Sequence, residues 1–143
     1  MNGNGNSQYL GCAINGFPVA IPVANVQEVF ETRFLAKVPK CPAFIAGLVN
    51  IRGAIVPVLD LWQVEREGAD LFTMAVLSTA EGNVGLLISR LDDLVRFTRI
   101  GPADALPSEL AVAPFSGAGL DESGKMYFVL DAEQCIAGTI PRE

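Results

Sequence analysis

The sequence predicts an all-β fold of small barrels. Turn signals recur along the whole chain, short apolar runs of strand length lie between them, and no helical pattern of crossover length intervenes. The turn signals are Asn15-Gly16, the run Asn50 to Gly53, Glu81-Gly82-Asn83 and the run Asp121 to Gly124. Asn and Asp side chains bond nearby backbone, and Gly enters positive φ freely.

Taken in order, residues 1–7 are polar and lack the basic patch and apolar core of a signal peptide, so they read as a disordered leader. Strands over Gln8 to Ile14 and Phe17 to Ile21 flank the first turn, and a third runs from Phe30 to Val38. Ile45 to Val49 and Ala54 to Leu59 flank the second turn, where alternation sends Val49 inward. Pro57 has no ladder donor, which places its strand at an edge or breaks it there. Asp60 then caps a short helical turn at Leu61-Trp62-Gln63, with Trp62 a core plug or an interface anchor. The remaining strands are Phe72 to Ser78, Val84 to Ser89, Leu94 to Thr98, Ala113 to Leu120 and Met126 to Leu130. Asp131 follows the last as Asp60 follows the fifth, and Asp121 to Gly124 repeats the grammar of Asn50 to Gly53. That echo suggests two similar halves divided near Arg66 to Asp70. Pro141 discourages a C-terminal helix.

At 143 residues the chain is one domain's length. Half its residues are apolar, which points to apolar surface kept for partners. No apolar run approaches the ~18 residues of a membrane helix. The reading is therefore a cytoplasmic protein without direct membrane insertion. Three cysteines, Cys12, Cys41 and Cys135, are too scattered for a disulfide framework or a CxxC metal site. The chain has no His, which removes a phosphoacceptor histidine, the base of a Ser-His or Cys-His pair and the commonest metal ligand. Gly117 and Gly119 lack the spacing of a phosphate loop. Asp92-Asp93 with Asp60 or Glu28 supply the carboxylates an acid–base enzyme needs, but adjacent residues on an extended segment point to opposite sides. No enzyme, cofactor or metal is expected.

The net charge of −6 is uneven. From Thr32 to Leu59 the chain carries Arg33, Lys37, Lys40 and Arg52 and no acid, whereas Gly101 to Glu143 holds seven acids against Lys125 and Arg142. Four basic groups without interleaved aromatics fall short of a phosphate-tracking surface, so nucleic acid is not an expected partner. An acidic protein partner fits the cationic stretch. Its most distinctive residue is Arg52, which the turn grammar, a type I bend followed by a left-handed Gly53, holds at the tip of a hairpin. An arginine there is either solvated or offered to a partner's carboxylates and carbonyls through its planar fork of donors.

The run Gly47 to Leu61, G-L-V-N-I-R-G-A-I-V-P-V-L-D-L, resembles the signature of the CheW-like family, the adaptor domains of bacterial chemosensory arrays. Gly16 to Val29, with Val26-Gln27-Glu28-Val29, is similar to the family's second strand and the segment after it. Lys37-Val38-Pro39, Gly85 to Ile88, Phe115 to Gly119 and Phe128 to Asp131 follow in the family's order. The resemblance implies two five-stranded SH3-like β-barrels packed around a shared core, with short helical turns. It places them in a single domain over residues 8–140, the first barrel at about 8–66 and the second at about 70–136. It also implies a non-catalytic adaptor coupling the cytoplasmic tip of a chemoreceptor to the regulatory domain of the histidine kinase CheA, recruited to membrane-associated receptor arrays. Carried over by position, Val26 and Gly47 belong to a receptor-contacting surface, Arg52 organises the groove, and Glu28 is a polar rim contact. Asn50 and Gly53 form the turn. Ser89-Arg90, where the family has Val-Asp, and Gly11-Cys12, where it has a bulkier aromatic, depart from the pattern. They favour a divergent pathway, such as one governing pili. A generic small-barrel peptide binder is the competing reading.

Overall fold

The computed structural model describes residues 8–40, 45–60, 71–102 and 115–137. They form eleven strands, β1 (Tyr9–Ile14), β2 (Phe17–Pro22), β3 (Val26–Thr32), β4 (Ile45–Ile51), β5 (Ala54–Leu59), β6 (Phe72–Thr79), β7 (Gly82–Leu87), β8 (Arg90–Val95), β9 (Phe97–Gly101), β10 (Phe115–Asp121) and β11 (Met126–Leu130), and one short helix, α1 (Ala132–Ala137). The all-β expectation holds. Two strands lie elsewhere than the sequence predicts. Pro22 ends β2 in a single 3₁₀ turn, Val23–Asn25, so β3 starts at Val26 instead of Phe30. The expected strand from Leu94 to Thr98 is two strands, β8 and β9, with only Arg96 between them.

The strands make two mixed sheets, the first barrel in the order β3-β6-β7-β5-β4 and the second barrel in the order β8-β1-β2-β11-β10-β9. Hence the expected division into barrels at 8–66 and 70–136 does not describe the sheets. The two halves exchange hairpins: β6–β7 joins β3, β4 and β5, while β1–β2 joins β8 to β11. Four pairings make the exchange: the antiparallel pairs β3 with β6 and β1 with β8, and the parallel pairs β5 with β7 (Val58 opposite Gly85) and β2 with β11 (Val129 opposite Ala20). The echo between the halves is real in the fold, because β4–β5 and β10–β11 hold matching places and Ala36 bridges Leu48 where β9 flanks β10. β5 is interior, not an edge. Pro57 is tolerated because the parallel ladder with β7 begins only at Val58.

Strand alternation explains why the chain is half apolar. In β6, Ala75 and Leu77 face a core that also holds Cys12, Ile14, Val19, Ile21, Leu59, Leu86 and Leu130, drawn from both sheets. Met74 and Val76 face the other way, into a core private to the first barrel with Val49, Ile51, Val56 and Leu87. Ala20 and Val129 likewise turn into the second barrel's own core, where Tyr9, Phe97 and Tyr127 meet with ring centroids 4.7 and 6.0 Å apart. Central strands are thus apolar on both faces. After β11, Asp131 Oδ1 accepts from Gln134 N at 3.2 Å, which caps α1 as the sequence predicts. Glu133 accepts from Ala80 N at 3.2 Å, tying α1 to the turn of the first sheet. The expected leader, Cys41, the turn at Leu61 to Gln63 with Trp62, and Pro141 lie outside the described residues.

Candidate functional site

The hairpin turn is tighter than its sequence suggests. Ile51 is buried in the first barrel's core and pairs with Ala54, so the strands continue to the last possible residue and leave only Arg52 and Gly53 as the loop. Both take positive φ, +51° for Arg52 and +88° for Gly53, as a two-residue primed turn requires, and not the type I bend expected. Asn50 Oδ1 accepts from Gly53 N at 2.8 Å and closes the loop. Asn50 and Gly53 therefore do serve the turn. Arg52 is held in a conformation that costs a non-glycine residue about 1 kcal/mol or more.

Its guanidinium lies against Glu28 in a two-pronged pair: Nη2 donates to Oε2, and Nη1 to Oε1 at 3.4 Å. Arg52 keeps 70% of its side-chain surface exposed and Glu28 only 24%. A β-bulge between Val26 and Glu28 sets Gln27 out of register, and Gln27 Oε1 accepts from Asn83 Nδ2 at 3.0 Å. Gln27, Arg52 and Asn83 rim a depression of about 230 Å³ floored by Ile51, Val56 and Val76. A pair this exposed contributes well under about 1 kcal/mol to folding, so it orients the guanidinium without locking it.

Of the residues expected to form the partner surface, the fold brings Arg52 and Glu28 together and leaves the other two in different surroundings. Val26 is half-buried and packs against the shared core. Gly47 is buried beneath the segment Leu35-Ala36: a Cβ there would sit 2.7 Å from Ala36 O and 3.2 Å from Leu35 Cβ. Its lack of a side chain admits that close approach. Sequence reasoning missed Phe34 and Ile55, exposed at 73% and 62%. A signal was present, since alternation around the buried Leu35 turns Phe34 outward.

Of the carboxylates an acid–base enzyme would draw on, Glu28 is paired with Arg52 and Asp92 with Arg90. Asp92 accepts from Arg90 Nε at 2.9 Å and Nη2 at 3.3 Å, and these bonds hold its carboxyl below the usual carboxylate range, against a partial burial that pushes the other way. Ser89 Oγ accepts from Asn15 N at 3.0 Å, so Ser89-Arg90 has a local structural role. Asp121 accepts from Ser123 Oγ (2.7 Å) and from the Ser123 and Lys125 amides (2.9 Å each), and these bonds lower its pKa as well. Burial pushes the Cys12 and Cys135 thiols up to about 12. Among the described residues no group of His, Cys, Asp or Glu has the arrangement to hold a metal, and no helix is long and apolar enough to cross a membrane.

Residues 8–139 match the family model described as a CheW-like domain. The chain is 30% identical over 94 residues to a chemotaxis protein CheW of Thermotoga maritima, a match spanning 64% of this chain and 62% of that protein. It is 28% identical over 124 residues to the CheW of Klebsiella aerogenes, covering 82% and 74%. Protein FrzA of Myxococcus xanthus is 32% identical over 99 residues, covering 64% and 58%. The solved structure of the scaffolding protein TtCheW from Thermoanaerobacter tengcongensis superposes with a TM-score of 0.76 at 20% identity, over 89% of this chain and 85% of that one, and so shares its fold.

Proposed function

The chain belongs to the CheW-like domain family, and on that premise we propose that it is a non-catalytic adaptor coupling the cytoplasmic tip of a chemoreceptor to the regulatory domain of the histidine kinase CheA. The observation that carries the reading is Arg52, fixed in backbone by a two-residue turn and aimed along the barrel rim by Glu28, with most of its donors open to solvent. A partner carboxylate or carbonyl entering the rim takes up donors that Glu28 leaves free, and Glu28 keeps the fork in one orientation while this happens. Val26, on the same strand as Glu28, supports that strand from the core side. Gly47 contributes by letting Leu35-Ala36 pack close, which sets the path of the chain beside β4. Nothing in this arrangement demands a nucleotide, a metal or turnover. The protein works in the cytoplasm and reaches membrane-associated arrays through the receptor.

The test is binding of the full chain to its cognate receptor tip and kinase regulatory domain, with kinase activation in reconstituted arrays as the functional readout. Arg52→Ala should keep the fold and weaken assembly by about 2 to 5 kcal/mol, the cost of losing one desolvated charged hydrogen-bond set. Normal activation by the folded variant would move the adaptor surface elsewhere. A chain that binds neither partner would favour a generic peptide binder.

A further inference from the structure

After β3 the chain does not turn directly into β4 but runs along its outer side. Three contacts fix this passage. Thr32 Oγ1 accepts from Phe34 N and donates to Phe34 O, both at 3.2 Å. Leu35 is buried in the first barrel's core. Ala36 then exchanges two backbone hydrogen bonds with Leu48, at 2.9 and 2.8 Å. Between these anchors Phe34 stands 73% exposed, the most exposed large hydrophobic among the described residues. Arg33, Lys37 and Lys40, on the same passage of chain, are exposed too, and no acid occurs from Thr32 to Leu59.

An aromatic ring whose backbone is already immobilised loses little further freedom on docking, so its burial goes largely into affinity. Aromatic residues and Arg are the types enriched where interfaces concentrate their energy. The cations beside it select the sign of the partner: on a chain of net charge −6, an acid-free stretch bearing them is a local inversion of the field. An anionic bilayer would also meet cations and an aromatic. Three cations and a single ring give weak membrane attraction on a chain that is acidic overall, whereas one side chain at a fixed position suits a recess of fixed shape.

We propose that Phe34, flanked by Arg33, Lys37 and Lys40, anchors a protein-docking surface whose occupant is a partner offering an apolar recess ringed by Asp or Glu. The proposal rests on the adaptor reading and adds to it a contact that does not use Arg52.

The full chain, Phe34→Ser and the double variant Arg33→Glu/Lys37→Glu are each titrated against the cognate receptor tip, the kinase regulatory domain, and vesicles of phosphatidylcholine with phosphatidylserine. Both variants should melt like the parent, since all three side chains are exposed. Each should lose roughly tenfold or more in affinity for one and the same protein probe. The parent's affinity for that probe should fall with salt, and the double variant's should fall less. If the parent binds and both variants bind both proteins as tightly, the Phe34 surface is refuted while the adaptor reading stands. Loss confined to vesicles overturns it in favour of a lipid surface, and a parent that binds neither protein overturns the adaptor reading and this site together.

Discussion

Gly47→Ala adds one methyl group at a point where the structure has no room for it. The new Cβ would lie 2.7 Å from Ala36 O and 3.2 Å from Leu35 Cβ. The first contact is with a backbone carbonyl, so no rotamer change relieves it and the segment must move. Ala36 holds its place by two hydrogen bonds to Leu48, each worth a net 0.5 to 1.5 kcal/mol by the usual order of magnitude, roughly. Leu35 moves with it, and withdrawing even half of a buried leucine costs about 1 kcal/mol. The sum is a loss of about 2 to 4 kcal/mol, large against the stability of a domain this size. Urea unfolding followed by circular dichroism measures it, with Gly16→Ala as the control for positive φ without crowding. If Gly47→Ala unfolds at the same urea concentration as the parent, the packing of Leu35-Ala36 against β4 is looser than described, and the role given to Gly47 falls with it.

Arg52→Gly should match or exceed the parent's melting temperature while losing partner binding, because glycine occupies φ +51° without strain; a clear drop in melting temperature would show that the Glu28 pair matters more to folding than its exposure implies. Gly53→Val forces a β-branched residue to φ +88° and should cost about 1 to 3 kcal/mol, measured by the same unfolding experiment. Asp92 is held below its ordinary value of 3.8 in the fold, so its contribution is complete above the usual carboxylate range and lost as pH falls through the lowered value. Asp92→Asn should therefore destabilise at pH 7 and cease to do so at strongly acid pH, and a difference independent of pH would exclude the Arg90 pair as the cause. Cys12 and Cys135, with thiols raised to about 12, should resist alkylation in the native protein and react once it is unfolded, as read by peptide mass spectrometry.

What was legible in the sequence was whatever short-range chemistry decides. Asn15-Gly16 closes β1–β2, Asn50 and Gly53 close β4–β5, and Asp131 caps α1, each through contacts within a few residues. The pairing of Arg52 with Glu28 is not legible in the sequence, because it depends on β3 reaching the first sheet through β6 and β7. The hairpin exchange was equally hidden. Continuous apolar runs mark β2 and β7 as strands with two buried faces but say nothing of which parallel neighbour each will meet. Gly47 is ambiguous for a related reason: a glycine that admits a close approach and a glycine that clears space for a partner look identical until the segment Leu35-Ala36 is placed.

The exchange makes the two barrels a single folding unit, and this can be tested by cutting the chain. A break between residues 65 and 66 leaves β1 to β5 on one fragment and β6 to β11 on the other. The first then carries the β1–β2 hairpin without β8 and β11, and β3 without β6; the second carries β6–β7 without β3 and β5. The shared core is divided as well, since Ile14, Val19, Ile21 and Leu59 fall on one side and Leu77, Leu86 and Leu130 on the other. Neither fragment retains enough buried apolar surface to offset its chain entropy, so neither should show a cooperative thermal transition alone. Mixed in equal amounts, they should regain one, with the circular dichroism spectrum of the intact chain and a midpoint that rises with concentration, because association now replaces a covalent link. If each fragment instead melts cooperatively by itself, the barrels are the contiguous halves that the sequence suggests and the parallel pairings of β2 with β11 and β5 with β7 are wrong. The same unity bears on coupling: with the core common to both sheets, a partner that shifts the rim around Arg52 acts on strands packed against the second barrel, not on a freely hinged neighbour.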